Sequence, residues 1–261
     1  MDTSLSNKVT VITGASRGIG RQLVQSMAEA GARLVFCARS EAPIQSLASE
    51  LQKAGHDALP VVADVSQERA AAEVIQAAIA RHGRVDVLVN NVGIAGPTKS
   101  IEATSLDEWN DTLTVNLTSA FLCLREVVPH MRRQGGGSVV NIGSITGKKP
   151  LIYRVGYAAA KMGMIGMTRT AAEELGPDRI RVNCVCPGSV AGERLDEVLV
   201  AQAEKRGMTM EQIRAFAAGM SPLKAFTTAQ DVAALVTFLA SDASIHMTGQ
   251  DINVSAGQVM Y

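Results

Sequence analysis

The sequence predicts an α/β fold, a parallel sheet doubly wound with helices on both faces, in a single domain. Three observations predict it. Short apolar, β-branched runs alternate with longer segments of helical periodicity, and strands buried on both faces read as such continuous runs. The first run leads into a glycine-rich turn, Thr13-Gly-Ala-Ser-Arg-Gly-Ile-Gly20, and then into a helical pattern. No repeat, charged block or low-complexity linker interrupts the 261 residues, a length that α/β domains reach as single units.

Residues 8–12 form the first strand. Residues 19–30 follow as a helix, periodic through Ile19, Leu23, Val24 and Met27. Strands are expected at 33–37 and 58–62, the latter bounded by Asp64, then an alanine-rich helix over 68–82 and a fourth strand at 85–90. A long helix over 107–133 precedes strand 138–142, helix 156–175 and strand 180–185; helix 229–240 and strand 251–254 close the pattern. The handedness rule and the glycine turn select the Rossmann arrangement. Residues 189–225 break the rhythm, combining helical pieces with Gly192, Gly207, Gly219 and Pro222. Ligands of open α/β sheets sit beyond the carboxyl ends of the strands, so a substrate loop or lid is expected there.

Gly14, Gly18 and Gly20 have G-x-x-x-G-x-G spacing. A helix N-terminus behind such a turn offers unpaired N–H groups and positive potential to a dinucleotide pyrophosphate. Gly14, Ser16, Arg17, Gly18, Ile19 and Gly20 are the candidate contacts. An acidic residue at the end of the second strand would accept hydrogen bonds from the adenosine ribose; Ala38 cannot. Arg39 and Arg17 could instead clasp a 2′-phosphate, or be solvated surface arginines. The residues alone leave both readings open.

Tyr157 and Lys161 stand i and i+4 in helix 156–175 and share a face. An ammonium beside a phenol favours the phenolate and suits it to acid/base work near neutrality. Ser144 follows strand 138–142 and could hydrogen-bond a substrate oxygen opposite Tyr157. Each motif alone is also explained by an ordinary helix surface or strand-end cap.

Together these residues resemble the short-chain dehydrogenase/reductases, in the short single-domain branch. Thr13-Gly-x-x-x-Gly-x-Gly20, Asp64-Val65, Asn90-Asn91-Val92-Gly93, Asn116, Ser144, Tyr157-x-x-x-Lys161 and Pro187-Gly188 occur in that family's order and spacing. Val92 stands where the family usually has alanine, and Gly192 near where many members have a threonine. The resemblance implies hydride exchange between a nicotinamide cofactor and a ketone or secondary alcohol, and, since neighbouring positions in the family hold NADP-selecting basic residues, NADP(H) is favoured, with NAD(H) possible. It implies that Tyr157 is the proton donor, that Ser144 orients the carbonyl, and that Lys161 bonds the nicotinamide ribose. It implies that Asn116 anchors a water relaying protons. Asp64 and Val65 would touch the adenine edge, and Asn90, Asn91 and Gly93 would support the adenosine. Pro187, Gly188 and the Val190 backbone would lie by the nicotinamide. Alternatives are a dinucleotide sensor without turnover and a dehalogenase-like lyase; the intact Ser144, Tyr157, Lys161 and glycine turn argue against both.

Lys148, Lys149, Arg154 and Arg194 flank the expected pocket. They hint at an anionic substrate, with Ser144, Arg154 and Tyr157 as its contacts, or are solvated loop charges. Equal numbers of basic and acidic residues, 25 each, imply no global attraction to nucleic acid or anionic membrane. No apolar run is long enough for a membrane span and no signal peptide is evident. Cys37, Cys123, Cys184 and Cys186 read as buried thiols rather than a metal site, and a cytoplasmic location follows as the default. Apolar residues on more than one face of helices 107–133 and 156–175 predict a homotetramer or homodimer. They are Leu113, Val115, Leu117, Phe121, Leu122, Leu124 and Val127 in one helix, and Met162, Met164, Ile165 and Met167 in the other.

Overall fold

The computed structural model describes residues 2–261, except the side chains of residues 194, 201, 202 and 205. The strands are β1 (Val9–Thr13), β2 (Arg33–Ala38), β3 (Ala58–Val62), β4 (Val87–Asn90), β5 (Gly137–Ile142), β6 (Ile180–Pro187) and β7 (Asp251–Val254). They form one seven-stranded sheet in the order β3-β2-β1-β4-β5-β6-β7, every pair parallel. The order switches direction between β1 and β4, where such sheets bind ligands at their carboxyl ends.

The helices are α1 (Gly18–Glu29), α2 (Glu41–Lys53), α3 (Glu68–His82), α4 (Leu106–Leu113), α5 (Ser119–Gln134), α6 (Val155–Leu175), α7 (Glu193–Arg206), α8 (Met210–Gly219) and α9 (Ala229–Ala240). Alternate strand residues feed two cores. Ile12, Phe36, Val89 and Val140 pack with α1, α2 and α9 through Leu23, Ile44, Leu47 and Val236. Val11, Val35, Leu88 and Val139 pack with α3, α5 and α6 through Ile75, Val127 and Leu175. The continuous apolar runs in the sequence are thus strands covered on both sides.

Two features depart from the expected pattern. Helix α2 was not anticipated, although Ile44, Leu47, Ala48 and Leu51 form its buried stripe at helical spacing. Pro43 lies in its first turn, where no hydrogen bond is lost. The long helix 107–133 is two α segments joined by a π turn, Thr114–Thr118, the kind of bulge that concentrates at functional sites. Residues 189–225 contain the α7–α8 pair, which closes on its own small core of Leu199, Ala203, Ile213 and Ala217.

The apolar face expected to need a partner subunit is smaller than the sequence suggests. Leu122, Leu124, Val127, Met164 and Ile165 are buried within the subunit. Leu122, Leu124 and Val127 belong to the α3-side core, while Met164 and Ile165 share a cluster with Ala120, Cys184 and Cys186, against which Leu117 of the π turn packs. Phe121 and Met162 keep 46% and 52% of their surface exposed. No helix among the described residues is long and apolar enough to cross a membrane.

Candidate active site

The glycine turn joins β1 to α1 as expected. Gly14 and Gly18 have φ of +71° and +54°, the left-handed region where a side chain is strained. A Cβ on Gly20 would lie 2.0 Å from the Gly14 carbonyl oxygen, so only glycine lets the helix start this close to the strand. Helix α1 has no side-chain cap on Arg17 and no acid in its first turn. By contrast α4, α8 and α9 each carry a capping box. The N–H groups of α1 are left for an anion, so this turn fits a dinucleotide pyrophosphate. Ser16 and Ile19 are half-buried beside it, and Arg17 is exposed.

The neighbouring strand ends are tied to this turn. The Asn91 amide donates to the Thr13 and Gly14 carbonyls, both at 3.0 Å, and the Asn91 N–H donates to the Thr13 hydroxyl at 3.0 Å. At the ends of β2 and β3, Arg39 lies 4.0 Å from Asp64 and is 68% exposed. Asp64 accepts bonds from the Ser66 N–H and hydroxyl. Val65, beside Asp64, is 2% exposed and packs in the α3-side core. Asn90 also turns inward, donating to Asn141 at 2.9 Å.

The acid/base candidates come together at the ends of β4 and β5. Lys161 is 3% exposed. Its Nζ donates to the Ile142 carbonyl at 2.8 Å and lies 5.7 Å from the centre of the Tyr157 ring. Ser144, two residues beyond Ile142, is 8% exposed and accepts from the Thr146 N–H at 3.1 Å. A Cβ on Gly147 would meet the Lys161 backbone at 2.8 Å, so the segment after Ser144 lies flat on α6. Gly93 closes the other side: a Cβ there would sit 2.8 Å from Asn116 Oδ1 and 3.6 Å from Lys161 Nζ.

Asn116 is fully buried in the π turn. Both its amide protons are used, donating to the Ile94 carbonyl at 3.1 Å and the Thr112 carbonyl at 2.9 Å, and its oxygen accepts from the Ile94 N–H at 3.2 Å. Its side chain is therefore a clamp on the strand β4 exit. With both amide protons spent, a water held by the Asn116 side chain would have to donate to its oxygen.

Beyond β6, a Cβ on Gly188 would crowd Ser255 and Gln258, which packs Pro187-Gly188 against the C-terminal segment. Val190 bridges Thr227 in parallel fashion. The Ser189 carbonyl accepts from Thr227 N–H, and Ala191 N–H donates to the Thr227 carbonyl. In that geometry the N–H and C=O of Val190 itself point away from Thr227. Thr227 was missed in the sequence; a threonine before a helix N-cap carries no signal that it braces a loop 37 residues upstream.

Of the four basic residues expected near the substrate, Lys148 is engaged elsewhere. It is 7% exposed, pairs with Asp251 at 2.5 Å and donates to the Tyr261 carbonyl at 3.0 Å. Burial alone would raise the Asp251 carboxyl. Hydrogen bonds from Lys148 and Arg169 outweigh that and hold it below the usual carboxylate value. Lys149 is exposed, and the Arg194 side chain lies outside the described residues. Arg154 is at the site: its guanidinium lies 5.6 Å from the centre of the Tyr157 ring. The four cysteines are buried and unbridged, and among the described residues no cluster of His, Cys, Asp or Glu is placed to hold a metal ion.

Residues 8–203 match the family described as short chain dehydrogenase. The chain is 35% identical to the 3-oxoacyl-acyl-carrier-protein reductase of Staphylococcus epidermidis, over 97% of this chain and 100% of the relative. It is 38% identical to the trans-4-hydroxycyclohexanecarboxylate dehydrogenase of Sinomonas cyclohexanicum, covering 97% of this chain and 93% of the other. Among solved structures, L-sorbose reductase from Gluconobacter frateurii, in complex with NADPH and L-sorbose, superposes with a TM-score of 0.94. It is 29% identical, and each chain is covered completely, 100%.

Proposed function

The chain belongs to the short-chain dehydrogenase/reductase family and is a nicotinamide-dependent oxidoreductase of CH–OH and C=O groups; we propose that Tyr157, Ser144 and Lys161 run this reaction on a small ketone or secondary alcohol, with NADPH preferred. The observation that carries the reading is the Lys161 side chain, held between Ile142, Gly93 and the Tyr157 ring.

A bound nicotinamide would supply or take the hydride. The chain's residues handle the oxygen. The Ser144 hydroxyl, its oxygen already accepting from Thr146, donates to the substrate oxygen and fixes its direction. Tyr157 gives that oxygen a proton as the carbon is reduced, and takes it back in oxidation. The Lys161 ammonium stabilises negative charge at the phenol electrostatically and reaches the ribose hydroxyls. Asn116 positions Gly93 and Ile94 against Lys161. The turn from Gly14 to Gly20 holds the pyrophosphate, with Asn91 keeping it in shape. Arg17 and Arg39 receive a 2′-phosphate, and the Val190 backbone meets the carboxamide beside Pro187 and Gly188. Residues 189–225 act as the substrate lid, moving as the α7–α8 pair.

Relatives named for a hydroxycyclohexanecarboxylate and a sorbose reductase crystallised with its sugar support a small polar secondary alcohol or its ketone. We place the enzyme in the cytoplasm as a homodimer or homotetramer, with Phe121 and Met162 at the contact.

Tyr157→Phe tests the reading. Turnover should fall by ~10²-fold or more, since the proton is needed only in the transition state. NADPH binding, followed by fluorescence titration, should persist. Near-normal turnover in the variant would end the proposal.

A further inference from the structure

We infer that Gln258 is a positioning residue for the nicotinamide end of the cofactor. Its side-chain amide holds Ser189, and through Ser189 it fixes the direction in which the Val190 backbone meets the carboxamide. The inference rests on the seat assigned to Val190 above.

The segment from Pro187 to Gly192 contains one polar side chain, that of Ser189. Side-chain bonds of its own can hold this loop at that residue alone. Every polar group of Ser189 is engaged. Its carbonyl accepts from the Thr227 N–H and from the Thr227 hydroxyl, both at 3.1 Å. Its N–H donates to Gln258 Oε1 at 3.3 Å, and its hydroxyl accepts from Gln258 Nε2 at 3.3 Å. Two planar peptides flank Ser189. Thr227 holds the second, which carries the Val190 N–H, and Gln258 holds the first. With both planes held, the dihedral angles of Ser189 have little freedom, and the Val190 N–H keeps one direction. Gly188 is gripped in the same way. Its N–H donates to the Val254 carbonyl at 2.8 Å, and a Cβ on it would lie 2.8 Å from Gln258 Oε1. The amide therefore packs directly on the backbone that leads into Val190.

Gln258 is itself aimed by a fixed turn. Its N–H donates to the Ser255 carbonyl at 3.0 Å, and Ala256 and Gly257 have φ of +51° and +86°, the pattern of a type I′ turn. The end of the lid rests on this turn: Leu223 N–H donates to the Ala256 carbonyl at 3.3 Å, and a Cβ on Gly257 would meet Pro222 at 2.9 Å. Both ends of the half-buried Gln258 amide are spent on one serine. Sheet pairing does not need them, because β6 and β7 are already joined from Cys184–Asp251 to Pro187–Val254. What the amide adds is the course of the main chain at residues 188–190.

The test compares NADPH with 2′-phospho-ADP-ribose, which is the same molecule without its nicotinamide, by isothermal titration calorimetry on the full chain. NADH and ADP-ribose are compared in parallel, so the outcome does not depend on cofactor preference. Gln258→Leu removes both polar groups at similar size. It should weaken the dinucleotides by roughly tenfold and the nicotinamide-free fragments by less than about twofold. The gain in NADPH fluorescence on binding, which reports the surroundings of the ring, should shrink as well. Gln258→Glu keeps the acceptor for the Ser189 N–H and should recover most of the lost affinity. Equal weakening of dinucleotide and fragment in Gln258→Leu would make Gln258 a support of the fold, and unchanged affinity for all of them would make it idle. Either result overturns the inference and leaves the nicotinamide seat standing. If the wild type binds each dinucleotide no more tightly than its fragment, with no change in fluorescence, the ring is not seated beside Val190, and the inference falls together with the reading it rests on.

Discussion

Lys161 donates from Nζ to the main-chain carbonyl of Ile142 at 2.8 Å. This bond ties the middle of α6 to the end of β5, and thereby the proton donor on the helix to Ser144 on the strand exit. Both partners are buried, so the bond is shielded from competing water.

Lys161→Met should therefore do two things. It removes the ammonium from beside Tyr157, and it leaves the Ile142 carbonyl unpaired. An unsatisfied buried acceptor costs ~1–3 kcal/mol, so the melting temperature should drop by several degrees. Turnover should fall by ~10²-fold or more. Differential scanning calorimetry and steady-state kinetics on one preparation measure both; a fully stable Lys161→Met enzyme would show that the bond to Ile142 is not structural.

Cofactor choice should follow Arg39. NADPH is expected to bind more tightly than NADH, and Arg39→Leu should weaken NADPH by roughly tenfold while affecting NADH less. A charge-assisted bond to phosphate is worth ~1.5–3 kcal/mol, and the 4.0 Å pairing with Asp64 at an exposed surface offers little competition. Adding Ala38→Asp should bring NADH further ahead, although Ala38 is only 7% exposed and the carboxylate must turn outward. Competitive titration of the two cofactors decides; a wild-type preference for NADH contradicts the assignment.

The Lys148–Asp251–Arg169 cluster predicts a pH dependence. The Asp251 carboxyl is held low in the folded protein. A depressed group adds stability above its unfolded value, ~3.9, and that stability is lost as pH falls through the lower folded value. Asp251→Asn should thus melt below the wild type at neutral pH, and the gap should close on acidification below about pH 4. Thermal melts from neutral to acid pH check this. A constant gap would mean the ion pairs contribute nothing.

Assembly should depend on Phe121 and Met162, the two residues of the expected interface left most exposed. Phe121→Asp with Met162→Asp should convert a dimer or tetramer to monomer in light scattering. A wild-type particle near the 27.5 kDa chain mass would remove the interface altogether.

The period of the apolar residues and the chemistry of the turns were sufficient for much of this protein. Strand β3 at 58–62, helix α3 at 68–82 and helix α9 at 229–240 have the bounds their patterns indicate, because alternation, caps and glycines act within a few residues of chain. The glycine turn was legible for the same reason: Gly14, Gly18 and Gly20 are required by local backbone geometry. So was the shared face of Tyr157 and Lys161, which a helix dictates from spacing alone. Other features depend on contacts between residues far apart in sequence, and only the tertiary structure decided them. Lys148 reads like a pocket cation until β7 places Asp251 against it. Asn116 reads like a lone helix amide until Ile94 comes up against it and closes the clamp. Leu122 and Met164 read like an interface until the α3-side core takes the one and the cluster of α6 and the π turn takes the other. Arg154, one loop cation among four, acquires its place over Tyr157 only because Thr98 approaches from another strand's exit. Charge and hydrophobicity are written in the sequence; which partner satisfies them is settled by the sheet order, which brings the exits of β4, β5 and β6 to one edge.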